Sequence, residues 1–192
     1  MRRWMMVAII APALVMGTFA AHAQGTWKKY VVKELGFAFW APGPIETGLG
    51  TYRGTLAGQQ PTQTFKLIAN NIEYLLTVVS FTPDANSADI LGERSYTFQE
   101  NKKLLVDHWA RVETGKNQVF GRKLAVEQPG GKGRTLGAFY FTKGRLFSLE
   151  ATVLPANGDY ESSTPVRFID SIEFNISKAG DDAIALEAPK LK

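Results

Sequence analysis

Between Ile72 and Phe81 the chain reads IEYLLTVVSF, apolar on both faces for much of its length. Alternate side chains of a strand point to opposite sides, so such a run must be covered on both and belongs inside a sheet. A fold built around it therefore needs one layer above the sheet and another below. The preceding run, Thr62 to Ala69, places Phe65, Leu67 and Ala69 on one face and Thr64 and Lys66 on the other. That is the period-2 pattern of a half-buried strand, and Asn70-Asn71 supply the turn between the two.

The remaining segments fall around this pair. Trp27 to Val32 (WKKYVV) and Phe37 to Pro42 (FAFWAP) are aromatic and β-branched runs separated by Lys33-Glu34-Leu35-Gly36, which predicts a first strand pair. Lys123 to Gln128, Arg134 to Thr142 and Arg145 to Val153 predict an antiparallel meander. Its turns are Pro129-Gly-Gly-Lys-Gly133 and Lys143-Gly144. A stretch rich in helix formers, with no proline, runs from Asn86 or Ser87, either of which can cap its first turn, to Trp109. Leu91, Phe98, Leu105 and Trp109 mark its apolar stripe, and Lys103/Asp107 and Asp107/Arg111 form i,i+4 pairs on its outer face. Thr164-Pro165 begins a short helix ending near Ser171, and Ile172, Phe174 and Ile176 alternate as a last strand. This order predicts an α+β domain: an antiparallel β-sheet flanked by one long helix and a short C-terminal helix.

Residues 1–23 carry Arg2 and Arg3, then an apolar stretch from Trp4 to Ala20, then Ala21-His22-Ala23. Small residues at the last and third-last positions suit signal peptidase, which predicts export with cleavage before Gln24. An uncleaved anchor is the alternative. The expected organisation is a signal peptide at 1–23, a single domain at 24–177 and a flexible, charged C-terminal tail at 178–192. The expected location is the periplasm of a bacterial cell.

The 192 residues include no cysteine and two histidines, His22 and His108. A disulfide framework, a thiol nucleophile and a cysteine-containing zinc site are excluded on that count. His108 has Asp107 beside it, but neighbours on a helix point about 100° apart, so Asp107 does not orient the ring. No G-x-S-x-G elbow is present. Glu127 and Glu150 lie on meander strands and would share a face if those strands pair suitably, as acid and base roles or a hard cation require. A solvated polar face is the simpler reading. Gly130-Gly131-Lys132-Gly133 lacks the spacing of a phosphate loop and reads as a hairpin tip. Trp27, Trp40, Phe139, Tyr140 and Phe141 would line a ligand groove or, more simply, fill a core. No catalytic, cofactor-binding or metal-binding residue is assigned.

Charge is the most informative remaining property. Residues 24–110 carry eight basic and eight acidic side chains, 111–145 eight and two, and 146–192 four and eight. The basic residues Lys116, Arg122, Lys123, Lys132, Arg134, Lys143 and Arg145 cluster near turns. They predict an electropositive rim for an acidic envelope protein or anionic headgroups.

A family pattern is also present. W-x-x-Y followed by G-F-x-F-x-x-P falls on Trp27, Tyr30, Gly36, Phe37, Phe39 and Pro42. Y-x-x-x-V before the long helix falls on Tyr74 and Val78. Gly121-Arg122, the R-L-F strand at Arg145 to Phe147, and F-x-x-S-I-x-F at Phe168 to Phe174 complete it. The chain thus resembles the PsbP-like family, which includes the extrinsic photosystem II subunit, a small eukaryotic nuclear-import factor and many exported bacterial proteins. The resemblance implies an α/β/α sandwich whose better-known members bind partners rather than catalyse. The expectation is a non-catalytic exported accessory or protein-interaction domain with no cofactor. A small-molecule or lipid-binding module, with a groove between the sheet and the long helix, is the alternative. Nucleic acid is disfavoured by the expected compartment, the small net charge and the lack of a basic helix. The domain is expected to be a monomer with no transmembrane segment once the signal is removed.

Overall fold

The computed structural model describes residues 26–192 apart from Ala57, Pro83, Asn175, 177–179, Asp181 and Lys192. The expected export segment and its cleavage point lie outside the described residues. β1 (Lys28–Val32) and β2 (Phe37–Ala41) form an antiparallel ribbon. A seven-stranded antiparallel sheet follows, made of β3 (Glu46–Gly54), β4 (Gly58–Ala69), β5 (Ile72–Ser80), β6 (Lys103–Thr114), β7 (Asn117–Glu127), β8 (Arg134–Thr142) and β9 (Arg145–Val153). Its order is β3-β4-β5-β9-β8-β7-β6. Helices α1 (Ser87–Gln99) and α2 (Thr164–Ile169) flank it, and β10 (Ile184–Ala185) pairs parallel to β1.

Both faces of the sheet carry a core. On one, Phe65, Leu76, Val78, Tyr140, Phe147 and Leu149 meet Tyr30, Val32, Phe37 and Phe39 of the ribbon and Phe168 and Ile169 of α2. On the other, Val79, Leu124, Val126, Phe139 and Leu146 meet Ile90, Leu91 and Phe98 of α1. Each such aromatic or branched side chain contributes about 1.5–3 kcal/mol of transfer free energy. The result is the expected α+β sandwich, with one outer layer completed by a β-ribbon beside the short helix. β5 is an interior strand, as its double-sided pattern requires, but the two coverings differ. Tyr74, Leu76 and Val78 are fully buried, whereas Leu75 and Thr77 on the α1 side are half-buried.

The largest departure from the sequence reading is at residues 100–114. Asn86 caps α1 by accepting from the Ala88 N–H at 2.9 Å, but the helix ends at Gln99 instead of continuing to Trp109. Glu100 leaves helical geometry with ψ 128, and Asn101 takes the left-handed conformation at φ 58. Asparagine enters that region more readily than other non-glycine residues, so it serves as the stop. Lys102 then folds back, and its Nζ donates to the Phe98 carbonyl at 2.6 Å. Leu105, His108 and Trp109 lie on a strand, so Lys103/Asp107 and Asp107/Arg111 are not helical neighbours. Three further differences are smaller. β3 was not expected, because Gly48, Gly50 and Gly54 dilute its strand pattern. Of the expected final strand at Ile172 to Ile176, the described residues form one bridge, between Ala38 and Glu173. The tail expected to be mobile returns to the domain: β10 pairs with β1, the Leu186 N–H donates to the Val31 carbonyl, and Gln63 Nε2 donates to the Pro189 carbonyl at 2.8 Å.

A single carboxylate ties the β3–β4 turn to α1. Glu93 accepts from Tyr52 Oη at 2.9 Å, Leu56 N–H at 2.9 Å, Thr55 Oγ1 at 2.5 Å and the Thr55 N–H. Burial pushes the Glu93 carboxyl upward, but these donors outweigh it and leave the group below its ordinary value of 4.5. The clasp is thus fully present above pH 4.5 and is lost as the pH falls through the lower folded value. Glu93→Gln is expected to remove about 1 kcal/mol at neutral pH, the solvent access of the group limiting the loss. It should also flatten the acid limb of stability against pH, measured by urea unfolding between pH 3 and 7. An unchanged acid limb would show that the clasp does not hold in solution.

Candidate functional site

Hairpin turns along an antiparallel meander alternate between the two ends of the sheet, which sorts the seven basic residues expected to form one rim. Lys116 in the β6–β7 turn, Lys143 in the β8–β9 turn and Arg145 at the start of β9 lie at one end. Lys132 and Arg134 lie at the other, where Arg134 Nη1 donates to Glu161 Oε1 at 2.8 Å. Arg122 and Lys123 sit within β7 on opposite faces. Arg122 grips Asp107 through Nε at 3.1 Å and Nη2 at 2.5 Å and lies 4.8 Å above the Trp109 ring. Lys123 Nζ is 2.7 Å from Asp170 Oδ1. The single rim is thus corrected to two ends and two internally paired cations.

One end forms a cleft of about 410 Å³. Lys33, Glu34, Leu35 and Gly36 of the β1–β2 turn form one wall, Thr114, Asn117 and Val119 a second, and Thr142, Lys143 and Arg145 a third, with Phe147 and Phe174 also lining it. The β1–β2 turn closes through Gly36 at φ 74, with the Gly36 N–H donating to the Val32 carbonyl at 2.9 Å. Its Leu35 side chain is buried, which presses the turn onto the sheet end. Arg145 Nη1 then donates to the Leu35 carbonyl at 3.2 Å, so the guanidinium is held in place while Lys33 and Lys143 stay exposed. Three cations face one carboxylate, Glu34, across this opening. Such an arrangement attracts acidic groups and offers them one held guanidinium and two adjustable ammonium groups. Lys33 is the contributor the sequence reading missed, because it lies 110 positions from Lys143 and outside the basic segment.

The other candidates separate. Glu127 is in register with Arg134 and shares the face of Ala125 and Leu136, whereas Glu150 points toward α1, between Leu149 and Ala151 of the opposite core. Two carboxylates on opposite faces cannot divide acid and base roles over one substrate. Glu150 is instead bonded to Arg94 of α1, whose Nε also approaches Ser148 Oγ at 3.3 Å. The Arg94 guanidinium lies 4.8 Å from the Phe139 ring. Burial pushes the nearby Lys102 ammonium down, with Glu150 opposing that shift. His108 is exposed on β6, and Asp107 lies on the other face of the strand, engaged with Arg122. Phe139 and Tyr140 belong to opposite cores, and Trp27 stands edge-on to Tyr74 with ring centroids 6.3 Å apart. The Phe98 and Phe139 rings, 5.1 Å apart, pack between the C-terminal half of α1 and the sheet, while an opening of about 510 Å³ lined by Leu56, Gln60, Phe81, Asn86 and Ile90 lies beside the N-terminal half of the helix, where a groove was expected as the alternative. The Gly130 segment is a hairpin tip, as expected. Among the described residues, no group of three or more His, Asp and Glu side chains is placed to hold a metal, and no helix is long and apolar enough to cross a membrane.

No family model matches the chain, and no curated protein matches it in sequence. In structure it is similar to cyanobacterial PsbP (CyanoP) from Synechocystis sp. PCC 6803, with a TM-score of 0.50 and 12% sequence identity. The match covers 82% of this chain and 98% of that one.

Proposed function

We propose that this PsbP-like domain is an exported, non-catalytic accessory domain that holds an acidic partner of the cell envelope in the cleft at one end of its sheet. The observation that carries this reading is the convergence of Lys33, Lys143 and Arg145 from two distant turns on one opening, with Lys116 on the adjoining β6–β7 turn. Arg145 is preset by its bond to Leu35, while Lys33 and Lys143 can adjust to the partner. The leader-like residues 1–23 support export, and the fold supports a binding role by analogy.

The triple variant Lys33→Glu, Lys116→Glu, Lys143→Glu leaves the Arg145 bond intact and reverses the local field. Its capture of the native envelope partner by in-cell crosslinking is expected to fall at least about tenfold at low salt. The difference should narrow near 0.5 M salt, where screening acts within about 4–5 Å. Equal capture by both proteins across the salt range would rule out the cleft. Parallel sedimentation with phosphatidylglycerol vesicles separates a lipid headgroup from a protein partner.

A further inference from the structure

β6 is the last strand of the large sheet, and among the described residues β7 alone pairs with it. A bulge between Leu104 and Val106 interrupts the strand near its start, and from Val106 to Thr114 alternate backbone N–H and C=O groups face away from the domain. Edge strands in monomers are commonly short or carry like charges that repel a second edge. β6 is neither. Leu104, Leu105 and Val106 are exposed on it, Trp109 is 68% exposed, and Phe120 beside it on β7 is 60% exposed.

The order of charges along the strand is self-complementary. Asp107, Trp109 and Arg111 lie on one face, in register with Leu124, Arg122 and Phe120 of β7. Laid antiparallel against itself about Trp109, the strand sets Asp107 opposite Arg111 of the second copy, twice by symmetry, and Trp109 opposite Trp109. On the other face Val106 meets Val112. Centring on Ala110 sets Asp107 against Glu113, two like charges, while centring on His108 leaves Arg111 opposite Leu105 and pairs Lys103 with Glu113 only across the bulge between Leu104 and Val106. We therefore infer that β6 is a homodimer edge, joining two copies of this chain into one continuous antiparallel sheet about a two-fold axis at Trp109. Directly opposed residues in such a ladder lie about 4.5–5.5 Å apart. Each Trp109 already carries Arg122 over its ring at 4.8 Å, so the two-fold builds a row of Arg122, Trp109, Trp109 and Arg122 across the join. Asp107 keeps its own Arg122 and gains Arg111 of the other copy. This departs from the monomer expected from the sequence.

Because the chain has no cysteine, an introduced one is its sole thiol. In the purified protein Trp109→Cys places two thiols within disulfide reach, while Glu113→Cys places them about 27 Å apart at 3.4 Å per residue. Sedimentation velocity of the native protein is expected to show a concentration-dependent dimer. Mild oxidation should link Trp109→Cys far faster than Glu113→Cys. Arg111→Glu, which sets two acids against each other at both pairs, should raise the dimer dissociation constant about tenfold or more. A monomeric mass for the native chain up to about 0.1 mM would overturn the inference, because an interface weaker than that is not a stable dimer. Equal linking at both positions, or a dimer indifferent to Arg111→Glu, would also overturn it by moving the contact elsewhere.

Discussion

Replacing Phe37 with alanine is expected to lower the unfolding free energy by about 3–5 kcal/mol. The side chain has no solvent exposure, and its ring centroid lies 6.0 Å from Phe39, 5.7 Å from Phe65 and 5.3 Å from Phe147. Those rings belong to β2, β4 and β9, so Phe37 is the point where the ribbon grips the large sheet. The four aromatics hold one another from several sides, which leaves the cavity few ways to collapse. A domain with about 5–15 kcal/mol of total stability loses a large share of it by this one change. Urea unfolding at 25 °C measures the loss, and the exposed Phe120→Ala, expected within about 0.5 kcal/mol of native, is the comparison. If Phe37→Ala does not fold, Phe37→Leu keeps the volume closer and should still cost about 1–3 kcal/mol. A cost below 1 kcal/mol for the alanine variant would mean that ribbon and sheet are not packed as described. A loosened ribbon also moves Lys33, so the capture proposed for the cleft should fall in residual folded protein.

Gly121→Val is expected to destabilise by about 3 kcal/mol, although valine is among the best strand formers. Gly121 lies in β7 in register with Ala110 on one side and Tyr140 on the other. A Cβ there would run into the Phe139 carbonyl oxygen and meet the Tyr140 ring at 2.5 Å from Cδ1 and 2.8 Å from Cε1. The Tyr140 ring is fully buried over this gap, an aromatic side chain covering a strand glycine. Relief requires either the ring or the backbone of β8 to move. The ring is hemmed by Phe174, at 6.0 Å between centroids. A Cβ alone meets both obstacles, so in thermal melts and urea unfolding Gly121→Ala should already carry most of the cost and Gly121→Val should exceed it. A neutral or stabilising valine would show that β7 and β8 lie farther apart.

Much of the fold was legible because its signals are short. The 62–69 and 72–81 runs, the meander from 123 to 153 and the Thr164-Pro165 helix start were all recognisable from spacing and turn chemistry. Residues 103–109 were misread because Leu105 and Trp109 continue a helical spacing from Leu91 and Phe98. The alternation of Asp107, Trp109, Arg111 against His108, Ala110, Val112 carries the strand signal, and Asn101 the break. Both signals were weaker than the apolar stripe, and only pairing with β7 decides between them. β3 was missed for a related reason: its three glycines carry no side chain to alternate, and pairing with β4 alone makes it a strand.

The candidate site was half legible. Lys116, Lys143 and Arg145 stood out by local charge, but so did Arg122, Lys123 and Arg134, which the fold engages with Asp107, Asp170 and Glu161. Charge density along a chain does not reveal which cations already have partners, because those partners come from distant elements.

By itself the sequence determined the periods, turns and caps, hence the strands around Phe65 and Leu76 and a sheet covered on two sides. Such features depend on backbone sterics and on solvation within a few residues. Only the tertiary structure decided that Asn101 ends α1, that Lys33 joins Lys143 and Arg145, and that β6 has a free edge with Trp109 outward. Each of these depends on which remote segment covers a face or faces a charge, and burial and Coulomb energy follow distance in space rather than along the chain.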